Sequence, residues 1–396
     1  MNQAIPLLFE RRPRFAERYH YDPWLVALAL VLLGIGLVMV ASASIAVAAR
    51  DGGDAHYFLW RQLAALALGG VAAAAALRTP LVAVERVSWM VLLACAVLLV
   101  MVLIPGLGRE VNGSMRWVAL GPITLQASEP TKLAVILYVA GYLVRRADEV
   151  RTQAMAFFKP LAVVGLLAIL LLSEPDFGAT IVISGTVLGM LFLGGIPFLR
   201  FLMWGCVAVA FLASLVVIAP YRMQRMMTFR DPWADPINSG YQLSQALIAF
   251  GRGEWFGVGL GNSVQKLYYL PEVHTDFIFA VIGEELGLAG ACVVVLLFLL
   301  LLLRVLHIGA QAAANGQIFG ANVAYGVGLL IAIEAFINIG VNLGVLPTKG
   351  LTLPLISYGS NSLVVLCLAL GLVLRVSFEA QAATRRNPTG FPVPLP

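Results

Sequence analysis

Ten apolar runs divide this chain, and each is at or near the length that crosses a bilayer. A helix needs about 20 apolar residues to span the hydrocarbon core. The runs fall at about 24–48, 58–77, 87–105, 129–146, 160–174, 177–195, 199–219, 276–304, 318–342 and 357–376. Of the 396 residues, 60% are hydrophobic and 12% are charged, against about 25% charged in a soluble domain. The expected fold class is all-α: a polytopic membrane protein of about ten transmembrane helices, with one large extracytoplasmic loop between helices 7 and 8. The first run is too long for the core of a cleavable signal peptide, and a second span follows it closely, so none is expected. Cys95, Cys206, Cys292 and Cys367 lie inside apolar runs without metal-ligand spacing. They read as small buried hydrophobes rather than as a disulfide or a zinc site.

Charge orients the chain. An even number of spans puts both termini on one side. Arg11, Arg12, Arg14 and Arg18 precede the first run; Arg145, Arg146, Arg151 and Lys159 share one short connection; Arg375, Arg385 and Arg386 follow the last run. The positive-inside rule makes that side cytoplasmic. The chain then divides into a tail over 1–23, a membrane domain over 24–376 and a tail over 377–396, whose proline-rich end is expected to be disordered. The connections 106–128 and 220–275 face outward, in the periplasm of a cell with an outer membrane. They are basic too, through Arg109, Arg116, Arg222, Arg225, Arg230, Arg252 and Lys266. Topology does not require positive charge on that side, so it calls for another explanation. No aromatic–basic interleaving accompanies the basic clusters of the tails and the 145–159 connection, and nucleic acid is not an expected partner.

The 220–275 connection is about 55 residues long and rich in Gly, Pro, Trp and Tyr. A loop of that length is functional or disordered, and its aromatic content argues against disorder. Gly251, Gly253, Gly257, Gly259 and Gly261 punctuate it. No strand precedes them, so they predict tight turns at the membrane surface rather than a nucleotide loop.

Ionisable groups in or beside a membrane are costly, and each is a site hypothesis. Four groups stand out. Ser128-Glu129-Pro130-Thr131-Lys132 opens the fourth span, with Glu129 and Lys132 on one helix face; they form a structural ion pair, or Lys132 holds a catalytic carboxylate or a phosphate. Glu174-Pro175-Asp176-Phe177-Gly178 breaks the chain between the fifth and sixth spans, where Asp176 suits a helix cap. Glu272-Val273-His274-Thr275-Asp276 ends the large loop. There Thr275 or Asp276 serves as an N-cap, or Asp276 serves as a general base. On a continuous helix Glu284 would lie roughly 80° from Asp276 and could line the same cavity, while Glu285 would point the other way and pair elsewhere. Glu334, Asn338 and Asn342 form a polar stripe on the ninth span, read first as hydrogen bonding between helices.

The same segments carry a resemblance. The runs are Asn112-Gly113-Ser114-Met115-Arg116-Trp117, Gly121-Pro122, Gln126-Ala127-Ser128-Glu129, Glu174-Pro175-Asp176-Phe177-Gly178 and Gly240-Tyr241-Gln242. They continue with Gly257 to Ser263, Gln265-Lys266-Leu267-Tyr268-Tyr269-Leu270-Pro271-Glu272, His274 to Ala280 and Pro347 to Gly359. In this order they resemble the SEDS family (shape, elongation, division and sporulation proteins) over nearly the whole chain. The 265–271 and 348–359 stretches are most similar to its division branch, with the elongation branch the close alternative. Ser360-Asn361 stands where the family commonly has Gly-Ser, Gly283 where it often has Ala, and Pro130 where it has a larger apolar residue. No charged position is lost.

The resemblance implies a peptidoglycan glycosyltransferase of the bacterial cytoplasmic membrane at the division septum. Its substrate would be lipid II, a disaccharide-pentapeptide on a polyprenyl pyrophosphate. It would pair with a single-span class B transpeptidase (penicillin-binding protein) and other divisome proteins. The family's essential aspartate falls on Asp276, and its membrane-face pair on Glu129 and Lys132. A sugar hydroxyl needs a base, and a departing pyrophosphate needs cations. Asp276, Lys132 and Glu129 are therefore the expected catalytic residues, and Arg109, Arg116, Lys266, His274, Glu284 and Ser128 the expected substrate contacts. The chemistry admits a divalent cation, Mg or Mn, with no ligand set named. A lipid flippase would use the same polar cavity, but it calls for internal repeats, and the sequence shows none. A recruiting scaffold would leave charges in lipid unexplained.

Overall fold

The computed structural model describes residues 21–50, 56–111, 114–120, 123–147, 149, 154–267 and 269–386. The basic N-terminal tail, Asn112-Gly113, Gly121-Pro122, Arg151, Tyr268 and the tail from Asn387 lie outside the described residues.

Each apolar run forms a helix. In chain order these are α1 (Pro23–Arg50), α2 (Tyr57–Arg78), α3 (Leu81–Val102), α4 (Ser128–Arg145), α5 (Ala154–Ser173), α6 (Phe177–Leu193) and α7 (Phe198–Ile218). Two helices then occupy the large loop, α8 (Pro220–Arg230) and α9 (Tyr241–Gly253). The last three are α10 (Ile278–Ala314), α11 (Ile318–Asn342) and α12 (Ser360–Arg386). Among the described residues seven helices are long and apolar enough to cross a membrane: α1, α2, α3, α7, α10, α11 and α12. The apolar parts of α5 and α6 are shorter. α12 continues to Arg386, so helix occupies the start of the segment expected to be a tail.

The 106–128 and 220–275 connections depart from the expected pattern. Residues 108–126 form a three-stranded antiparallel meander, β1 (Gly108–Val111), β2 (Ser114–Leu120) and β3 (Ile123–Gln126), in the order β1-β2-β3. Arg109 pairs with Trp117 and Glu110 with Met115, so Arg116 is the extra residue of a bulge. Bulges re-aim a side chain. The 220–275 connection, expected as a turn-rich loop, holds α8 and α9, and α9 packs on α10.

Two helices make the centre. α4 is buried along most of its length, and 67% of the spanning window of α11 is buried. They pack on each other and on α6; α3 flanks α4, and α10 and α12 flank α11. α12 lies along α2, where Gly371 meets the Ala73 backbone so closely that an added Cβ would come within 2.7 Å of Ala73 Cα. α7 is the opposite case. None of its spanning window is buried, and it packs on α6 and α8.

The end of the bundle away from the meander is pinned by ions. Asp22 caps α1, accepting from Leu25 N at 2.9 Å, and also pairs with Arg304 of α10. Arg304 and the first-turn amide hold the Asp22 carboxyl below its usual range against the opposing effect of burial. Arg375 of α12 donates to Leu77 O at 3.0 Å and pairs with Glu379 at 2.7 Å.

Candidate active site

Asp276 stands two residues before α10, and the backbone around it is tied at every step. His274 O accepts from Tyr358 N at 2.8 Å, and Thr275 O accepts from Ser357 Oγ at 2.6 Å. Asp276 O accepts from Asn338 Nδ2 at 2.9 Å and from Asn342 Nδ2 at 3.0 Å. Asn342 Oδ1 in turn accepts from Ala280 N at 3.1 Å, satisfying a first-turn amide of α10. The polar stripe on α11 is thus the cradle of Asp276. Its signal was in the sequence as Asn338 and Asn342 at i and i+4; its target was not.

The Asp276 side chain is treated differently from its backbone. Among the described residues its carboxylate makes no ion pair and accepts no hydrogen bond. It faces Gly350, where an added Cβ would lie 3.1 Å from Oδ2. Burial pushes the carboxyl up to about 7, and Glu272 adds to the rise, while Arg116 and Arg225 pull it down. Arg225 is a cation of this site that the sequence argument did not single out. It lies on α8 and donates to Thr348 O at 3.5 Å.

Arg116 reaches across from the bulge. Its Nε donates to Glu174 O at 3.3 Å and its Nη2 to Pro175 O at 2.6 Å. Asp176 caps α6, accepting from Ala179 N at 3.1 Å. Glu174 beside it is fully buried, and among the described residues neither of its carboxylate oxygens has a hydrogen-bond partner. Burial raises that carboxyl to about 8, with Asp176 adding to the shift and Arg116 opposing it.

Lys132 lies in a buried triad. It pairs with Glu129 at 2.8 Å and with Glu334 of α11. Two carboxylates share one ammonium, so the cation is fully engaged. Glu334 precedes Asn338 by one helical turn, about 6 Å along the axis, which joins the triad to the Asp276 cradle through α11.

The other expected contacts lie elsewhere. Glu284 is fully buried and does not share a cavity with Asp276. It accepts from Arg252 Nη1 at 3.1 Å, from Val264 N at 3.0 Å, from Gln265 N at 3.3 Å and from Ser263 Oγ. The wheel placing it near Asp276 assumed one continuous helix, but α10 begins only at Ile278. Lys266 is buried against Glu285 at 2.8 Å and Ser42 at 3.0 Å, away from Asp276's surroundings. His274 packs between Phe58 and Tyr358, with ring centroids at 4.5 and 5.5 Å, and burial lowers its imidazole below the usual value. Ser128 is buried and accepts from Gln126 Nε2 at 3.2 Å. Arg109 is exposed on β1. All four cysteines are free thiols, Cys95 and Cys367 buried, Cys206 and Cys292 on the outer surface of the bundle. Among the described residues no three His, Cys, Asp or Glu side chains gather to hold a metal.

The arrangement is thus an unsatisfied carboxylate with a neutral-range pKa, between two arginines, at one end of a membrane bundle. Known proteins resemble the chain over about nine-tenths of its length. The probable peptidoglycan glycosyltransferase FtsW of Nitrosococcus halophilus is 55% identical over 360 residues, covering 91% of this chain and 93% of that protein. The protein of the same description from Pseudomonas fluorescens is 52% identical, covering 90% and 88%. A chain from a solved peptidoglycan synthase complex, described as coordinating polymerization and crosslinking, superimposes with a TM-score of 0.73 at 30% identity, covering 91% of this chain and 98% of that one. The crystal structure of Thermus thermophilus rod shape determining protein RodA gives a TM-score of 0.67 at 28% identity, covering 90% and 96%. Residues 23–382 match the family of cell cycle proteins FtsW, RodA and SpoVE, and the chain belongs to that family.

Proposed function

We propose that this multi-pass membrane protein, a peptidoglycan glycosyltransferase by kinship, polymerises lipid II into glycan strands during septal wall synthesis, with Asp276 as general base. A hydroxyl of one lipid-linked sugar attacks the anomeric carbon of another. Its proton passes to Asp276 as the new carbon–oxygen bond forms. The bond from that carbon to the pyrophosphate breaks, and the electron pair leaves on the phosphate oxygen. Attack from the opposite face inverts the carbon without a covalent sugar–enzyme adduct.

One observation carries this reading: among the described residues the Asp276 carboxylate has no hydrogen-bond or ion-pair partner, while the carbonyls of His274, Thr275 and Asp276 are all bonded. A base works best with a pKa near the operating pH, and the Asp276 carboxyl stands at about 7. Arg116 and Arg225, with Arg109 on the same face, supply positive charge for the departing pyrophosphate. Lys132 and Glu129 take a positioning part. With Glu334 they fix α11, whose Asn338 and Asn342 hold the Asp276 backbone. A divalent cation, Mg or Mn, would supply further positive charge for the departing pyrophosphate; among the described residues no three His, Cys, Asp or Glu side chains gather to hold it.

The outer loops and both arginines then face the periplasm, and both termini face the cytoplasm. A single-span class B transpeptidase would crosslink the strand, in company with other divisome proteins; the polymerising and crosslinking complex that contains a structural relative supports such a partner. Identity of 52–55% to FtsW proteins against 28% to the RodA chain favours division over elongation. The test uses purified full-length protein and lipid II. The Asp276→Asn variant should insert and fold but make no polymer. Polymer at the wild-type rate would remove Asp276 from the role, and translocation without polymer would make the chain a flippase.

A further inference from the structure

Beside the Asp276 site the outer face holds a polar cavity of about 430 Å³, within the size range of small-ligand pockets. Its walls come from α8, the turn after it and the start of α9. Gln224, Arg225, Asn238, Ser239, Tyr241 and Gln242 line it. We infer that this cavity is the saccharide subsite of the enzyme, taking the amino-sugar disaccharide of the lipid-linked substrate. The inference rests on the glycosyltransferase reading above.

Three observations support it. The first is the kind of polar group present. The lining offers amides and hydroxyls and one cation, whereas a pyrophosphate would call for several charged donors. Sugars are bound by neutral groups that both donate and accept, and by an aromatic ring against their C–H face, which Tyr241 offers. The second is preorganisation. Asp235, behind the turn, accepts from Asn238 N, Asn238 Nδ2, Ser239 N and Ser239 Oγ at 3.0–3.3 Å. Those bonds hold its carboxyl below the usual range and fix the wall in place. Gln224 and Gln242, by contrast, are exposed, and among the described residues no hydrogen bond engages their amides. The third is position. Thr348 forms part of the wall and accepts from Arg225. Gly350, two residues on, faces Asp276 Oδ2, and two residues of chain span at most about 7 Å. A disaccharide seated here therefore brings a ring hydroxyl to the carboxylate.

The test is a Gln224→Ala/Gln242→Ala double variant of the full-length protein. Neither side chain holds the fold, so the variant should insert and melt like wild type. Its KM for lipid II should rise about tenfold, the loss expected for one or two hydrogen bonds, with kcat within about twofold and the pH profile unmoved. A water-soluble disaccharide lacking peptide, pyrophosphate and lipid is the direct probe, read by saturation-transfer NMR. It should bind wild type and Asp276→Asn equally and bind the double variant at least tenfold more weakly. Unchanged KM and unchanged disaccharide binding would overturn the assignment. So would glutamine-dependent binding of the free peptide stem in place of the sugar. Polymer made by Asp276→Asn would instead refute the base and leave the pocket to be decided by the glutamine dependence.

Discussion

Three carboxylates stand at the head of α10, and the protein treats them in two ways. Glu284 and Glu285 are fully buried and bonded throughout, Glu284 to one arginine, one hydroxyl and two backbone amides, Glu285 to Lys266 and Ser42. Asp276, eight residues before Glu284, has no hydrogen-bond or ion-pair partner for its side chain among the described residues. All three are acids beside a membrane helix, so type and location do not separate them. The donors around them do. A satisfied buried charge holds structure together, while an unsatisfied one keeps its lone pairs for a ligand.

Breaking each partner in turn should expose that division. Asp276→Asn should take polymerisation below detection, a loss of at least about 10²–10⁴-fold, the usual worth of a general base, with the melting temperature equal to or above that of wild type at pH 8. The sign follows from linkage. A folded-state pKa of about 7 lies above the ordinary 3.8, so the folded protein binds that proton more tightly. The carboxyl therefore lowers stability as pH rises from about 4 through 7, and an amide removes the penalty. Glu284→Gln should do the reverse. It loses about 3 kcal/mol of charged hydrogen bonding, seen as a lower melting temperature, while the folded fraction keeps its kcat. A dead but stable Glu284→Gln, or an unstable Asp276→Asn, would collapse the distinction.

Arg116→Ala sharpens it further. Activity should rise with pH through about 7 in wild type, because the base works deprotonated. Removing a cation that lowers the Asp276 carboxyl should move that limb to higher pH and slow polymerisation about tenfold at pH 7. An unmoved limb would show that another group titrates. Gly350→Ala should be mildest. Its methyl would sit 3.1 Å from Oδ2, close enough to nudge the carboxylate, and kcat should fall about two- to fivefold. An increase would mean that the carboxylate is held too loosely in wild type.

Much of this was legible in the chain. Every apolar run became a helix, because membrane insertion depends on apolar length and little else. The acidic residue before the eighth run was visible as a costly charge. What pattern could not supply was contact between distant segments. The 108–126 meander has strands of only four to seven residues, too short for their alternation to stand out beside the long apolar runs. Lys266 read as a spare cation because Glu285 and Ser42 come to it from other helices. Arg225 looked like one more basic loop residue until α8 formed and turned it toward Thr348. Glu285 was expected to pair away from Asp276, and it does.

Gly287 interrupts α10 with a φ of 69°, and an added Cβ there would strike the Gly257 amide at 2.4 Å. Through that gap the outer segment is stitched to the helix: Val258 N to Glu284 O, Gly259 N to Glu285 O, Leu288 N to Glu254 O and Ala289 N to Trp255 O. Residues 254–289 are thereby drawn into a closed hoop, with Asp276 on its rim. A hoop has no loose end to absorb a push. Force applied to this surface by a neighbouring protein would be shared around the circumference, the Asp276 carboxylate included.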